Sequence, residues 1–166
     1  MDKTIPYLAL AGVVGVGLIG GLLFVFSNFA MRAFACLPEG EGMRAMQEIN
    51  RAILNPLFLV LFMGTTLVST ASVAMGLVHT GAFGGQGHPA APGMIAGGLL
   101  YGVGVFGVTA GRNVPLNNAL DRADPASEAG RALWASYLRV WTRWNHVRVV
   151  CAMVSVLAYG RVLWVL

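Results

Sequence analysis

The segment Trp141-Thr142-Arg143-Trp144-Asn145-His146-Val147-Arg148 puts two indoles, an amide, an imidazole and two guanidinium groups into eight consecutive residues. A neutral imidazole takes up a proton near neutral pH, so His146 is the natural candidate for a base. Upstream stand Arg112, Asn113, Asn117 and Asn118, interrupted by Pro115, and before them Asn28, Arg32, Asn50, Arg51 and Asn55. Amides carry no charge to anchor them to lipid headgroups; they suit holding a polar ligand or fixing a buried arginine. On helical spacing Asn113 and Asn117 share a face, as do Trp141, Asn145 and Arg148, or Trp144 and Arg148. Pro115 also frees a carbonyl in its own helix. The set is therefore expected to converge on one vestibule. A blander reading of the same residues is that Asn and Arg cap helix ends, Arg snorkels to phosphates and Trp marks an interfacial belt. His146 is then an interfacial histidine bonded to a neighbour.

Other chemistries find less support. His79 and His88 stand nine residues apart with no third ligand nearby, which argues against a metal site. No Ser-His-Asp arrangement is legible, and the apolar runs contain no acid for a carboxylate proton relay. Cys36 and Cys151 are far apart and read as small buried apolar residues rather than a disulfide or metal motif. Gly15, Gly17 and Gly20 match a dinucleotide-binding spacing, but inside a continuous apolar run rather than at a strand-to-helix turn.

The elements that position the polar set follow from composition. The chain is 57% apolar and only 11% charged, where soluble domains carry about 25% charged residues. Four stretches reach the roughly 20 apolar residues that a membrane crossing needs: 7–29, 56–78, 94–117 and 146–166. The fold class expected is all-α, an integral membrane four-helix bundle forming a single domain over residues 1–166. Met43, Met46, Ile49 or Asn50, and Ile53 recur at helical spacing between Arg44, Glu48 and Arg51, which predicts a short interfacial helix between the first two spans. Asp124-Pro125-Ala126-Ser127-Glu128 predicts a helix start, and thus a helical extension through Trp134, Tyr137 and Trp141 into the fourth span. The connection from His79 to Gly93, rich in Gly and Pro, predicts an irregular turn. Gly17 and Gly21, Gly98 and Gly102, and Gly107 and Gly111 stand four apart, a spacing that lets membrane helices approach closely.

The net charge of +4 and pI near 9.6 do not point to nucleic acid, because the basic residues are nearly all Arg and lie between apolar runs. Nine of the eleven border the first and third connections, leaving Lys3 and Arg161 near the ends. Positive residues stay in the cytoplasm, so both termini are expected on the non-cytoplasmic side of a bacterial inner membrane. The first apolar run is about twice the length of a signal-peptide core and is read as a retained helix.

The segments GLLFVFSNFAMRAF, MRAMQEINRAILNPLF, GVFGVTAGRNVPLNNAL and LWASYLRVWTRWNHVR resemble the anthrone oxygenase-like family of small membrane proteins, over nearly the whole chain. Asn113-Val114-Pro115-Leu116-Asn117 and the Trp141, Trp144, Asn145, Arg148 pattern are its most specific parts. The resemblance implies a four-helix membrane bundle. It also implies oxidation of anthrones to anthraquinones by molecular oxygen without metal or flavin. Under that chemistry His146 takes the acidic proton, and Arg148 or Arg112 steadies the anion. Asn113, Asn117 and Asn145 hold the substrate oxygens, Asn55 joins the site, and Trp141 and Trp144 stack on the rings. Two further readings stand beside this one. One is a non-catalytic subunit or assembly factor, as a homo-oligomer or in a larger membrane complex with lipid around it. The other is a small-molecule binder or transporter.

Overall fold

The computed structural model describes residues 4–81 and 87–166, and every regular element among them is helical. Lys3, counted in the charge balance, and the middle of the His79–Gly93 connection lie outside the described residues. Four helices are long and apolar enough to cross a membrane: α1, Thr4–Ala35; α3, Pro56–Val78; α4, Ala91–Asp121; and α5, Glu128–Trp164. The short α2, Glu41–Ala52, stands between the first two. At 1.5 Å per residue the 37 residues of α5 extend about 55 Å, well beyond a hydrocarbon core of roughly 30 Å. The predicted extension and the last span are therefore one continuous helix.

The starts of these helices are written in their caps. Asn55 accepts from the Phe58 amide (3.0 Å) at the head of α3, where Pro56 takes the first helical position. Ser127 accepts from the Gly130 amide (3.0 Å) at the head of α5. Gly40, at φ +81°, turns the chain into α2 in a left-handed conformation that a side chain rarely adopts.

The long helices pack in the order α1, α3, α4, α5, each against the next, with α5 closing on α1. Ile5, Val16, Ile19, Met94, Tyr101 and Tyr159 fill the interior, while Leu18, Val60, Leu67, Val103 and Leu157 point outward. An apolar exterior of this kind is what a lipid-covered bundle requires. Helix association without a hydrophobic driving force rests on close packing and interhelical hydrogen bonds. The bundle has both. Ser155 donates to the Gly97 carbonyl (2.7 Å), and Tyr101 donates to the Phe62 carbonyl (3.2 Å).

Of the spaced glycines, only Gly98 sits in an interior contact, where a Cβ collides with the Ser69 carbonyl. Gly17, Gly21, Gly102 and Gly111 face open space, and the close approaches are made by others, such as Gly15 against Thr65. Cysteine burial also differs from expectation: Cys36 is exposed at the end of α1, and Cys151 is half-buried beside Gly104.

Helix α2 folds its apolar face onto one end of the bundle. Met43 and Met46 are buried with Met31, Leu120, Tyr137 and Trp141, while Arg44, Glu48 and Arg51 face outward. Gln47 Nε2 donates to the carbonyls of Leu120 (2.8 Å) and Ala123 (3.0 Å). Arg51 pairs with Asp121 at 2.8 Å, and hydrogen bonding to that carboxylate raises the Arg51 guanidinium above its ordinary pKa. The buried Gln47 bonds fix α2 more firmly than the exposed ion pair.

Gly15→Val is expected to lower stability by about 1–3 kcal/mol through overpacking against Thr65. Gly17→Val is expected to leave it unchanged. Thermal melting in detergent checks both; equal melting of the two variants contradicts the packing.

Candidate functional site

Under α2 the four long helices enclose the polar set. Two of them depart from α-helical winding there: α1 widens into π-helical turns over Phe26–Ala30, and α4 over Leu100–Gly107 and Thr109–Asn113. Such turns shift side-chain register and recur at functional sites. Here they bring Ser27 and Thr109 to α5.

Arg148 is the centre of the arrangement, with 5% of its surface exposed. Its Nη2 donates to Asn145 Oδ1 (2.6 Å) and its Nη1 to Thr109 Oγ1 (3.1 Å). Its guanidinium carbon lies 5.1 Å from the centre of the Trp141 ring, a cation–π contact. Every one of these partners is neutral. Among the described residues no ion pair joins Arg148 to a carboxylate, and its Nε–H has no acceptor. A buried cation without a counter-ion is costly unless something anionic or strongly polar meets it.

The neighbours hold Arg148 in place. Asn145, fully buried, donates through Nδ2 to the Leu23 carbonyl (2.8 Å) and to Ser27 Oγ (2.7 Å). With both amide hydrogens committed to α1, its oxygen is directed at Arg148. Thr109 is fixed likewise, donating to the Val105 carbonyl (2.7 Å) while accepting from Arg148. Asn117 Oδ1 accepts from both the Tyr137 hydroxyl and Trp141 Nε1, each at 2.8 Å. Phe26 meets the Trp141 ring edge-on, and Tyr137 stacks on it.

A cavity of 130 Å³ opens over this layer, with Thr109, Asn117, Trp141 and Arg148 at its polar end. Asn50 of α2 also lines it, with its side-chain amide against the Tyr137 hydroxyl. Leu22, Leu23, Phe26, Ile53 and Phe58 make the apolar side. Arg148 and Asn50 both bring N–H donors to the cavity wall, which suits it to an oxygen acceptor.

Of the residues singled out from the sequence, Asn117, Trp141 and Arg148 line the cavity. Asn113 and Asn145 are buried behind it, Asn113 donating to the Trp141 carbonyl (3.3 Å). The other four lie elsewhere. His146 is exposed, with Nδ1 2.9 Å from Ser27 Oγ, and does not line the cavity. Arg112, also exposed, lies 5.0 Å from the Trp144 ring centre, so these two satisfy each other outside the site. Asn55 caps α3, donating as well to the Ala52 carbonyl (3.0 Å). Ser27, Thr109 and Tyr137 join the site through hydroxyls that are too common in helices to signal it from sequence alone.

At the opposite end His79 and His88 do meet, ring centres 6.0 Å apart. Among the described residues no group of three or more His, Cys, Asp or Glu side chains gathers there or elsewhere.

Fold and site together define a four-helix bundle, long enough to cross a membrane, with a buried arginine donor site at one end. Residues 58–158 match the family model described as anthrone oxygenase, and the chain belongs to that family. The matched region carries Thr109, Asn113, Asn117, Trp141, Asn145 and Arg148; Ser27 and Asn50 lie before it. No curated protein and no solved structure matches the chain.

Asn117→Leu is expected to orphan two donors at about 1–3 kcal/mol each, and to change the Trp141 contribution to fluorescence. Unaltered melting and emission in that variant contradict the network.

Proposed function

We propose that the protein is a cofactor-independent oxygenase of an anthrone-like or other flat aromatic or quinol substrate, acting at the cytoplasmic end of a multi-pass bundle in the bacterial inner membrane. The observation that carries this reading is Arg148, buried, ion-paired to no carboxylate among the described residues, and facing a cavity with one N–H unpaired. A desolvated cation favours an anion over the neutral molecule that gives rise to it. An anthrone suits such a site, because loss of a proton from its methylene carbon leaves an anion with charge on the carbonyl oxygen.

In this scheme Arg148 and Asn50 donate to that oxygen, at the end of the cavity that Trp141 and Phe26 bound. No lining side chain is a base, so the enol tautomer is the species that ionises, its O–H proton passing to water at the polar end of the cavity. The carbon opposite the oxygen gives its electron pair to dioxygen, forming a C–O bond, and protonation yields a hydroperoxide. Loss of the remaining C–H proton with cleavage of the O–O bond expels hydroxide and leaves a second carbonyl. One dioxygen is consumed; one of its atoms enters the quinone and the other leaves as water. His146 acts as a positioning residue, through the Ser27 hydroxyl that also accepts from Asn145.

A second reading, a subunit of a homo-oligomer or larger complex, is favoured by one observation. The open Gly17 and Gly21 of α1 floor an apolar groove of 480 Å³ against α5, a surface of the kind that another helix or lipid chains cover. The two readings are compatible.

Arg148→Met is expected to lower kcat/KM for anthrone oxidation by about 10²–10³-fold, as for loss of a principal charge-stabilising donor. Arg148→Lys is not expected to restore it, since an ammonium lacks the planar fork. His146→Ala is expected to cost less than tenfold; a loss as large as that of Arg148→Met makes His146 the base instead. Cysteines placed at either terminus are expected to react with an impermeant thiol reagent from outside the inner membrane, and labelling only from the cytoplasm reverses the orientation.

A further inference from the structure

The cavity is small for the substrates proposed. At 130 Å³ it holds the liquid volume of about four waters and falls below the roughly 300–1,000 Å³ usual for ligand pockets. It is also closed and open on different sides. Towards α2 the way is blocked by Met46, buried with Tyr137 and Trp141, and by the Gln47 bonds that tie α2 to the end of α4. Towards the outer face, between α1 and the joint of α2 with α3, it reaches the surface: Leu54 lines it and is 64% exposed. Leu22, Ile53 and Phe58 complete that rim, each half-buried. The cavity therefore runs from Arg148 inside to an aliphatic mouth between α1 and the start of α3.

We infer that the site takes its ligand edge-on from the hydrocarbon layer, so that only the oxygen-bearing edge of a flat apolar molecule enters, between Arg148 and Asn50, while its rings stay in the mouth bounded by Leu22, Ile53, Leu54 and Phe58. The inference rests on the oxygenase reading for the kind of molecule, but its geometry comes from the cavity. A second polar or charged group is excluded at the far end of the ligand, where it meets aliphatic side chains and lipid rather than water. The carbon opposite the held oxygen faces the bilayer, in which dioxygen, being apolar, dissolves readily. Specificity then lies in the polarity of the remote ring more than in ring shape, and Leu54 and Leu22 are specificity-determining residues.

Anaerobic binding to the full chain in lipid nanodiscs, read by tryptophan fluorescence quenching, tests this with anthrone and with an anthrone sulfonated on the edge remote from its carbonyl. The sulfonate is expected to bind at least tenfold more weakly than anthrone. Leu54→Arg and, on the opposite rim, Leu22→Arg are each expected to weaken anthrone at least tenfold. Asp121→Asn, which loosens only the water-side end of α2, is expected to leave binding unchanged. Equal binding of the two compounds overturns the inference, as does weakening by Asp121→Asn but by neither rim variant, or no saturable anthrone binding at all. The expected binding pattern without oxygen uptake once air is admitted supports edge-on entry while refuting the oxygenase reading.

Discussion

A guanidinium inside an apolar helix bundle must be surrounded by acceptors or it will not stay there, and the architecture around Arg148 meets that demand with neutral groups alone. Asn145 supplies one oxygen, Thr109 another and Trp141 a π face. Two suppliers are held by another helix, Asn145 by Leu23 and Ser27 of α1 and Trp141 by Asn117 of α4, while Thr109 is held within α4 by the Val105 carbonyl. Three of the four long helices are thereby fixed to one another through a single side chain. Neutral partners leave the positive charge uncompensated, whereas a carboxylate in the same place would have cancelled it. A bundle needing Arg148 only as an internal fastener gains more from a compensated pair, since a buried uncompensated charge is strongly destabilising. The uncompensated charge is the property an anion-stabilising site requires.

The π-helical turns follow from the same constraint. Ser27 and Thr109 both sit in such turns, and both are contact points for the Asn145–Arg148 pair. The widened stretch of α4 carries Gly102, Gly104 and Gly107, residues whose lack of a side chain eases the wider winding. Helix α2 then completes the site from a different part of the chain, bringing Asn50 to the cavity while Met43 and Met46 pack over that end of the bundle.

Much of this was legible in the sequence. The four spans, α2 and the long α5 follow from apolar run length, from the Met43–Met46 spacing and from the Asp124–Glu128 start signal. The shared face of Trp141, Asn145 and Arg148 was also legible, because four- and three-residue steps keep side chains on one side of a helix. His146 follows Asn145 directly, about 100° further around the helix, which puts it outside the cavity and against Ser27 of α1. Trp144 stands about 100° to the other side and meets Arg112 outside. Asn55 reads equally well as a ligand group and as a cap, and it is a cap. What α-helical spacing cannot supply is Ser27 and Thr109, since π turns break the period on which such reasoning rests. Asn50 could be placed on α2, but its position over the cavity depends on how α2 docks.

The claim on which the account turns is that Arg148 stabilises the anion of a bound carbonyl compound. The direct measurement is the absorption spectrum of anthrone added without oxygen to the purified protein in nanodiscs, at a pH where free anthrone is neutral. The account predicts the red-shifted band of the enolate with wild-type protein and its loss in Arg148→Met. Anthrone that stays neutral when bound, or an enolate band of equal strength in Arg148→Met, would contradict it.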